Sequence, residues 1–226
     1  MRIVKFEIQK KTVTLRLSDE TDRPLIVFNG FSEDAVPLFE MLNELKCPEC
    51  NLAYITSLDW EREMTPWHAP ALSAKERDFS GEADAYLKIL LEDIIPAARK
   101  EMIGKPAFTG IAGYSLAGLF ALYTLYRCDA FARAASMSGS LWFPDFADFA
   151  VNNEMQKKPE KVYLSLGDKE CRSRNPLLRE VQNNTEKIAS YYKGLGIDVR
   201  YELNEGNHFK DELLRTAKGI RGICHC

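Results

Sequence analysis

Apolar and polar residues alternate through RIVKFEIQKK (2–11) and TVTLRLSD (12–19). That period of two belongs to half-buried strands and predicts an antiparallel hairpin or edge pair. Farther along, the alternation gives way to short runs that are apolar throughout. PLIVFNG (24–30), closed by Asn-Gly, and NLAYITSL (51–58) are two of them; such runs suit strands covered on both faces. Between them, SEDAVPLFEMLNEL (32–45) repeats at helical spacing, with Ser32 placed as a cap. A long polar and aromatic stretch follows at 59–81, too long for a simple connection. EADAYLKILLEDIIPAARK (82–100) then reads as an amphipathic helix.

The second half keeps this rhythm. PAFTGIAGY (106–114), ARAASMSGS (132–140), KVYLSLG (161–167) and IDVRYEL (197–203) read as strands. LAGLFALYTLYR (116–127) is a helix apolar nearly all round, NPLLREVQNNTEKIASYYKGLG (175–196) an amphipathic one, and DELLRTAKGIRG (211–222) the last. Strands alternating with helices predict an α/β architecture. We expect a mostly parallel twisted sheet of about eight strands, with helices on both faces. No repeat or linker divides the chain, so one domain over 1–226 is expected. Only some twenty residues (141–160) separate two strands where a lid would be inserted, too few for a large lid domain.

Composition narrows the function. Hydrophobic residues make up 46% of the 226, enough for a sizeable core, and the formal net charge is −3. Nothing in that balance suits nucleic acid. No stretch is long and apolar enough for a signal peptide or a membrane span, so a cytoplasmic protein with no membrane partner is expected. The six cysteines are then expected as free thiols. Cys47 and Cys50 form a C-x-x-C and the chain ends Cys224-His225-Cys226, a set that would make a four-ligand zinc site. One such pair is a weak signal, the two parts lie at opposite ends of the chain, and the end is expected to fray. No metal is therefore expected.

The sharpest chemical signal is GYSLAG (113–118). A strand, a serine on a tight turn and a helix make a nucleophile elbow, which needs small residues two before and two after the serine. Gly113 and Ala117 meet that need around Ser115. Alanine stands where glycine is usual. The helix start favours developing negative charge, and the Leu116 amide is the natural oxyanion donor. The second donor should come from the loop after LIVF, from Phe31 or Gly30. Serine needs a base. Of His68, His208 and His225, only His208 follows the last strand and precedes a helix, the place this architecture gives the histidine. The acid should follow KVYLSLG: Glu170, three past Gly167, is the choice and Asp168 the alternative. Trp142 and Phe143 follow a strand end and suit a pocket wall. Gly30 would let substrate approach the backbone, while Trp60 and Trp67 are divided between pocket and core rim. Arg172 and Arg174 would attract an acidic substrate or stay solvated.

With these residues in place, the chain resembles the α/β-hydrolase superfamily, and within it the branch of esterase D and enterobactin-esterase-like serine esterases. The resemblance rests on AGYSLAGLFALY, SGSLWFPDF, LSLGDKE, NEGNHF, TPWHAPAL and DFSGEADAYLKILLEDIIP, and covers most of the chain from Pro24 onward. It implies hydrolysis of carboxylic esters of a soluble small molecule without a cofactor. It carries the nucleophile onto Ser115, the base onto His208 and the acid onto Glu170. Substrates in the branch range from siderophore esters to feruloyl esters and S-formylglutathione, so the substrate does not carry over. The extra N-terminal domain of the siderophore-specific enzymes is not expected in a chain of this length. Acyl transfer on the same triad and a non-catalytic binding protein on the same fold are the alternatives.

Overall fold

The structure, a computed structural model, describes residues 2–225. Eight strands form one sheet in the order β1-β2-β4-β3-β5-β6-β7-β8. β1 (Arg2–Ile8) and β2 (Lys11–Leu17) are the expected antiparallel edge pair. β2 also runs antiparallel to β4 (Asn51–Thr56). From there the sheet is parallel through β3 (Leu25–Asn29), β5 (Thr109–Tyr114), β6 (Arg133–Met137), β7 (Lys161–Gly167) and β8 (Asp198–Asn204). This is the α/β-hydrolase arrangement, and among the described residues no large lid domain interrupts it.

The all-apolar strands are explained by a core on each face. Along β3, Leu25 and Val27 point into one apolar cluster, Ile26 and Phe28 into the other. The smaller cluster lies under α1 (Val36–Glu44) and α9 (Glu212–Cys224), which pack together. The larger lies under α3 (Ala83–Ile89), α5 (Leu116–Arg127), α6 (Phe146–Asn152) and α8 (Val181–Gly194). Because α5 is sandwiched there, ten of its residues are buried, which its apolar sequence required.

Several local expectations are corrected. Ser32 does not cap α1; Asp34 accepts the Val36 N–H at 3.0 Å instead, so the helix starts later. Between α3 and α4 (Ile95–Glu101) the helix at 82–100 widens into a π turn at Leu90–Ile94. Pro96 sits just past that turn; proline has no N–H for the ordinary ladder. The helix at 175–196 breaks at Glu180 into α7 (Pro176–Arg179) and α8. The long 59–81 loop is held by α2 (Trp60–Glu63) and a two-bond bridge between Ala69 and Phe79. Among the described residues, no helix is long and apolar enough to cross a membrane.

Candidate active site

β5 ends at Tyr114, Ser115 takes φ 57° and ψ −125°, and α5 begins at Leu116. For a residue with a Cβ, that backbone costs about 1–3 kcal/mol. The surroundings hold it in place: the Ser115 N–H donates to the Met137 carbonyl at 3.1 Å, and the Ser115 carbonyl accepts from Gly118, Leu119 and Ser140. The small neighbours are a steric requirement. A Cβ on Gly113 would lie 2.2 Å from the Ala117 carbonyl oxygen.

The parallel strands bring three loops to this point. Ser115 Oγ lies 3.1 Å from His208 Nε2, and His208 Nδ1 lies 2.7 Å from Glu170 Oε2. The other oxygen of Glu170, Oε1, accepts from the Gly167 N–H at 2.7 Å, Ser138 Oγ at 2.7 Å and Arg215 Nη1 at 3.2 Å. Burial opposes ionisation of Glu170, but the bond and charge of His208 and the donors Gly167 and Ser138 outweigh it, and its pKa falls below the ordinary value. Tyr114 Oη donates to the His208 carbonyl at 2.5 Å and steadies the loop.

The rival residues lie elsewhere. His68 is exposed and sits 3.6 Å from Asp78. His225 lies past the far end of α9. Asp168 Oδ1 accepts the Gly206 N–H at 2.6 Å, bracing the β8 loop rather than reaching the imidazole. The Gly30 N–H donates to the Ile55 carbonyl at 2.8 Å, and a Cβ there would strike the Tyr54 ring at 2.4 Å. The Gly30 N–H is thus taken by the sheet and Gly30 lines neither hollow at Ser115, and Phe31 keeps the oxyanion expectation with Leu116.

Sequence reasoning missed Arg215, Ser138 and Tyr114. Arg215 is 1% exposed. Its signal was available: it shares a helix face with Gly219 and Ile223, an arginine in an apolar stripe.

Residues 48–212 match the family model described as "Putative esterase". The chain belongs to this esterase family. It is thus a carboxylic ester hydrolase. The uncharacterized protein YbbA of Bacillus subtilis is 26% identical over 177 residues, covering 74% of this chain and 71% of that one. An IroE-like serine hydrolase from Shewanella oneidensis superposes with a TM-score of 0.77 at 15% identity, over 97% of this chain and 78% of that one. The siderophore hydrolase EstB from Aspergillus nidulans gives 0.75 at 17%, over 97% and 93%. The enterobactin esterase FES from Shigella flexneri gives 0.70 at 16%, over 98% of this esterase but 58% of that chain. At these identities the structures share the fold.

Two hollows of the esterase meet at Ser115 and His208. One, of about 390 Å³, is walled by Phe28, Phe31, Trp60 and Phe209, with Asn29 at its base and Glu212 on its rim. The other, of about 250 Å³, is walled by Leu72, Trp142, Leu178 and Val181. The two doubtful tryptophans separate. Trp60 faces a hollow and contacts Phe31. Trp67 packs among Tyr123, Phe143, Phe146 and Phe149, and its indole N–H donates to the Pro144 carbonyl. Phe143 is also core, at 1% exposure. Arg172 and Arg174 are exposed and line neither hollow.

The cysteines Cys47, Cys50, Cys128, Cys171 and Cys224 are free thiols, but their separation along the chain is not a separation in space. The fold brings Cys47, Cys50 and Cys224 together, with all three Sγ atoms within 4.8 Å of one another. The end of α9 is pinned: Arg133 donates to the carbonyls of Ile223 and His225, and Lys161 to that of His225. Cys226, the last member of the CHC ending, lies outside the described residues.

Proposed function

We propose that the esterase cleaves soluble small-molecule esters through an acyl-enzyme on Ser115. His208 Nε2 takes the hydroxyl proton as Oγ bonds to the ester carbonyl carbon. Glu170 fixes the imidazole tautomer and stabilises the imidazolium. The amides of Leu116 and Phe31 receive the developing oxyanion. His208 then returns its proton to the departing alcohol as the C–O bond breaks. Water, deprotonated by His208, attacks the acyl carbon and frees Ser115 with the acid. No cofactor enters these steps. The observation that carries this reading is the unbroken contact chain from Ser115 through His208 to Glu170, built on a strained turn.

The hollows suggest the substrate. Aromatic walls favour an apolar or aryl group on each side of the scissile bond. Glu212 disfavours an anionic group on the larger side. Siderophore hydrolases and a ferulic acid esterase are among the similar structures, and both names denote non-lipid small molecules. Free thiols at Cys128 and Cys171 fit a reducing, cytoplasmic setting. The test is labelling with a fluorophosphonate probe, followed by a series of p-nitrophenyl esters of rising acyl length. Labelling lost in Ser115→Ala, with turnover of short or aryl esters by the wild type, is the expected result. Equal labelling of that variant would overturn the assignment.

A further inference from the structure

We propose that Cys47, Cys50 and Cys224 form a structural site for a soft divalent metal of the zinc type, clamping the α1–β4 loop to the end of α9. Thiolates bind zinc at about 2.3 Å in tetrahedral array, which sets sulfurs about 3.8 Å apart. The three Sγ atoms already lie within 4.8 Å of one another. The C-x-x-C spacing is that of structural zinc sites. With three thiolates in place among the described residues, one further donor completes the four that a structural zinc takes.

The fold spends backbone conformation to hold these sulfurs. After α1, Lys46 adopts φ 50°, where glycine is the usual residue. Its N–H donates to Asn43 and that of Cys47 to Leu42, both at 2.9 Å, closing a Schellman turn that fixes Cys47. Pro48 stiffens the step to Cys50, which is 4% exposed. Cys224 is 7% exposed, and the Arg133 and Lys161 bonds hold the backbone on either side of it.

The surrounding charge suits a thiolate-bound cation. α1 and α9 both end at the cluster, and helix C-termini carry partial negative charge that favours a cation. Binding takes up the cation and releases the thiol protons.

The site lies far from the reaction. It stands beside the start of β4, whereas Ser115 and His208 follow strand ends. The thirteen residues of α9 span about 20 Å between them. Arg215 sits near the other end of that helix, so a clamp at Cys224 steadies the element that holds Glu170. The site is therefore read through metal content and stability, not turnover.

The full chain, purified under reducing conditions without chelator, should carry one zinc per molecule. Mercurial titration of the thiols should release it. Exchange with Co²⁺ should give tetrahedral d–d bands and a thiolate-to-cobalt charge-transfer band. Cys50→Ser and Cys224→Ser should each lose the metal, while Cys128→Ser and Cys171→Ser keep it. Chelation should lower the wild-type Tm and leave fluorophosphonate labelling at low temperature intact. Should Cys50→Ser or Cys224→Ser fail to fold, the Co²⁺ spectrum of the wild type still decides. No zinc and no charge-transfer band in the reduced wild type would overturn the site. So would metal retained in Cys224→Ser, or a disulfide among these three residues in the reduced protein.

Discussion

Arg215 Nη1 lies 3.2 Å from Glu170 Oε1, in an ion pair whose side chains are 1% and 4% exposed. Arg215 Nη2 also donates to the Glu205 carbonyl at 3.0 Å, three residues before His208. One guanidinium thus joins the loop of the acid to the loop of the base. Arg215→Met should leave the carboxylate buried and short of a cation. Breaking such a pair typically costs about 3–5 kcal/mol. Arg215→Lys, which keeps the charge but loses the fork, should cost less. Urea unfolding of both variants, with kcat measured well below their melting temperatures, checks this. A Met variant as stable as wild type would remove Arg215 from the site's support.

Glu170 is held below its ordinary value by His208 and its donors, against burial. The folded chain therefore binds this proton less readily than the unfolded chain. Its contribution to stability is fully present above the unfolded carboxyl value, about 4.3, and is lost as pH falls through the lower folded value. Thermal melts between pH 7 and pH 3 should show an acid limb that Glu170→Gln makes shallower. An unchanged limb would mean that other carboxylates govern acid unfolding.

Much of this was legible in sequence because the signals were local. The elbow, the edge pair and the buried strands each follow from short-range pattern. Glu170 could be preferred over Asp168 by its distance from Gly167, since a residue that clears the strand end can reach the imidazole. What stayed hidden was long-range. Arg215 meets Glu170 across 45 positions. Cys224 meets Cys47 only because α1 and α9 lie side by side on one sheet face. The π turn before Pro96 and the split at Glu180 altered helix interiors whose apolar spacing was otherwise regular.

Asp168 and Glu170 are two positions apart but do different things. Glu170→Gln cannot stabilise an imidazolium and invites the wrong tautomer, so kcat should fall by about two to four powers of ten. Asp168→Asn weakens only the Gly206 brace, with an expected cost of about 1 kcal/mol in stability and a small change in rate. Steady-state kinetics on one activated ester suffices. A crippled Asp168→Asn beside a mild Glu170→Gln would exchange their roles.

The tryptophans offer a cleaner split between binding and folding. Trp67 fills an aromatic cluster, so Trp67→Ala should destabilise by about 3–5 kcal/mol with KM little changed at temperatures where it stays folded. Trp142 lines the smaller hollow and contacts Phe79. Trp142→Ala should chiefly raise KM for esters with a bulky group on that side. Parallel melts and kinetics across the p-nitrophenyl series measure both. A rise in KM for Trp67→Ala alone would reverse the placement.

Ser115 combines the proposed nucleophile with a strained backbone, and two substitutions separate these. Ser115→Ala and Ser115→Gly both remove the hydroxyl, so each should lose several powers of ten in kcat. They should differ in stability. Alanine keeps a Cβ at φ 57° and bears the steric cost of that region. Glycine has no such cost but loses about 0.4–1 kcal/mol through its freer unfolded chain. Because the strain is about 1–3 kcal/mol, glycine should be the more stable of the two by roughly 1 kcal/mol. Matched denaturant titrations with equal m-values decide the sign. A glycine variant that unfolds first would show that the backbone at Ser115 is relaxed rather than strained.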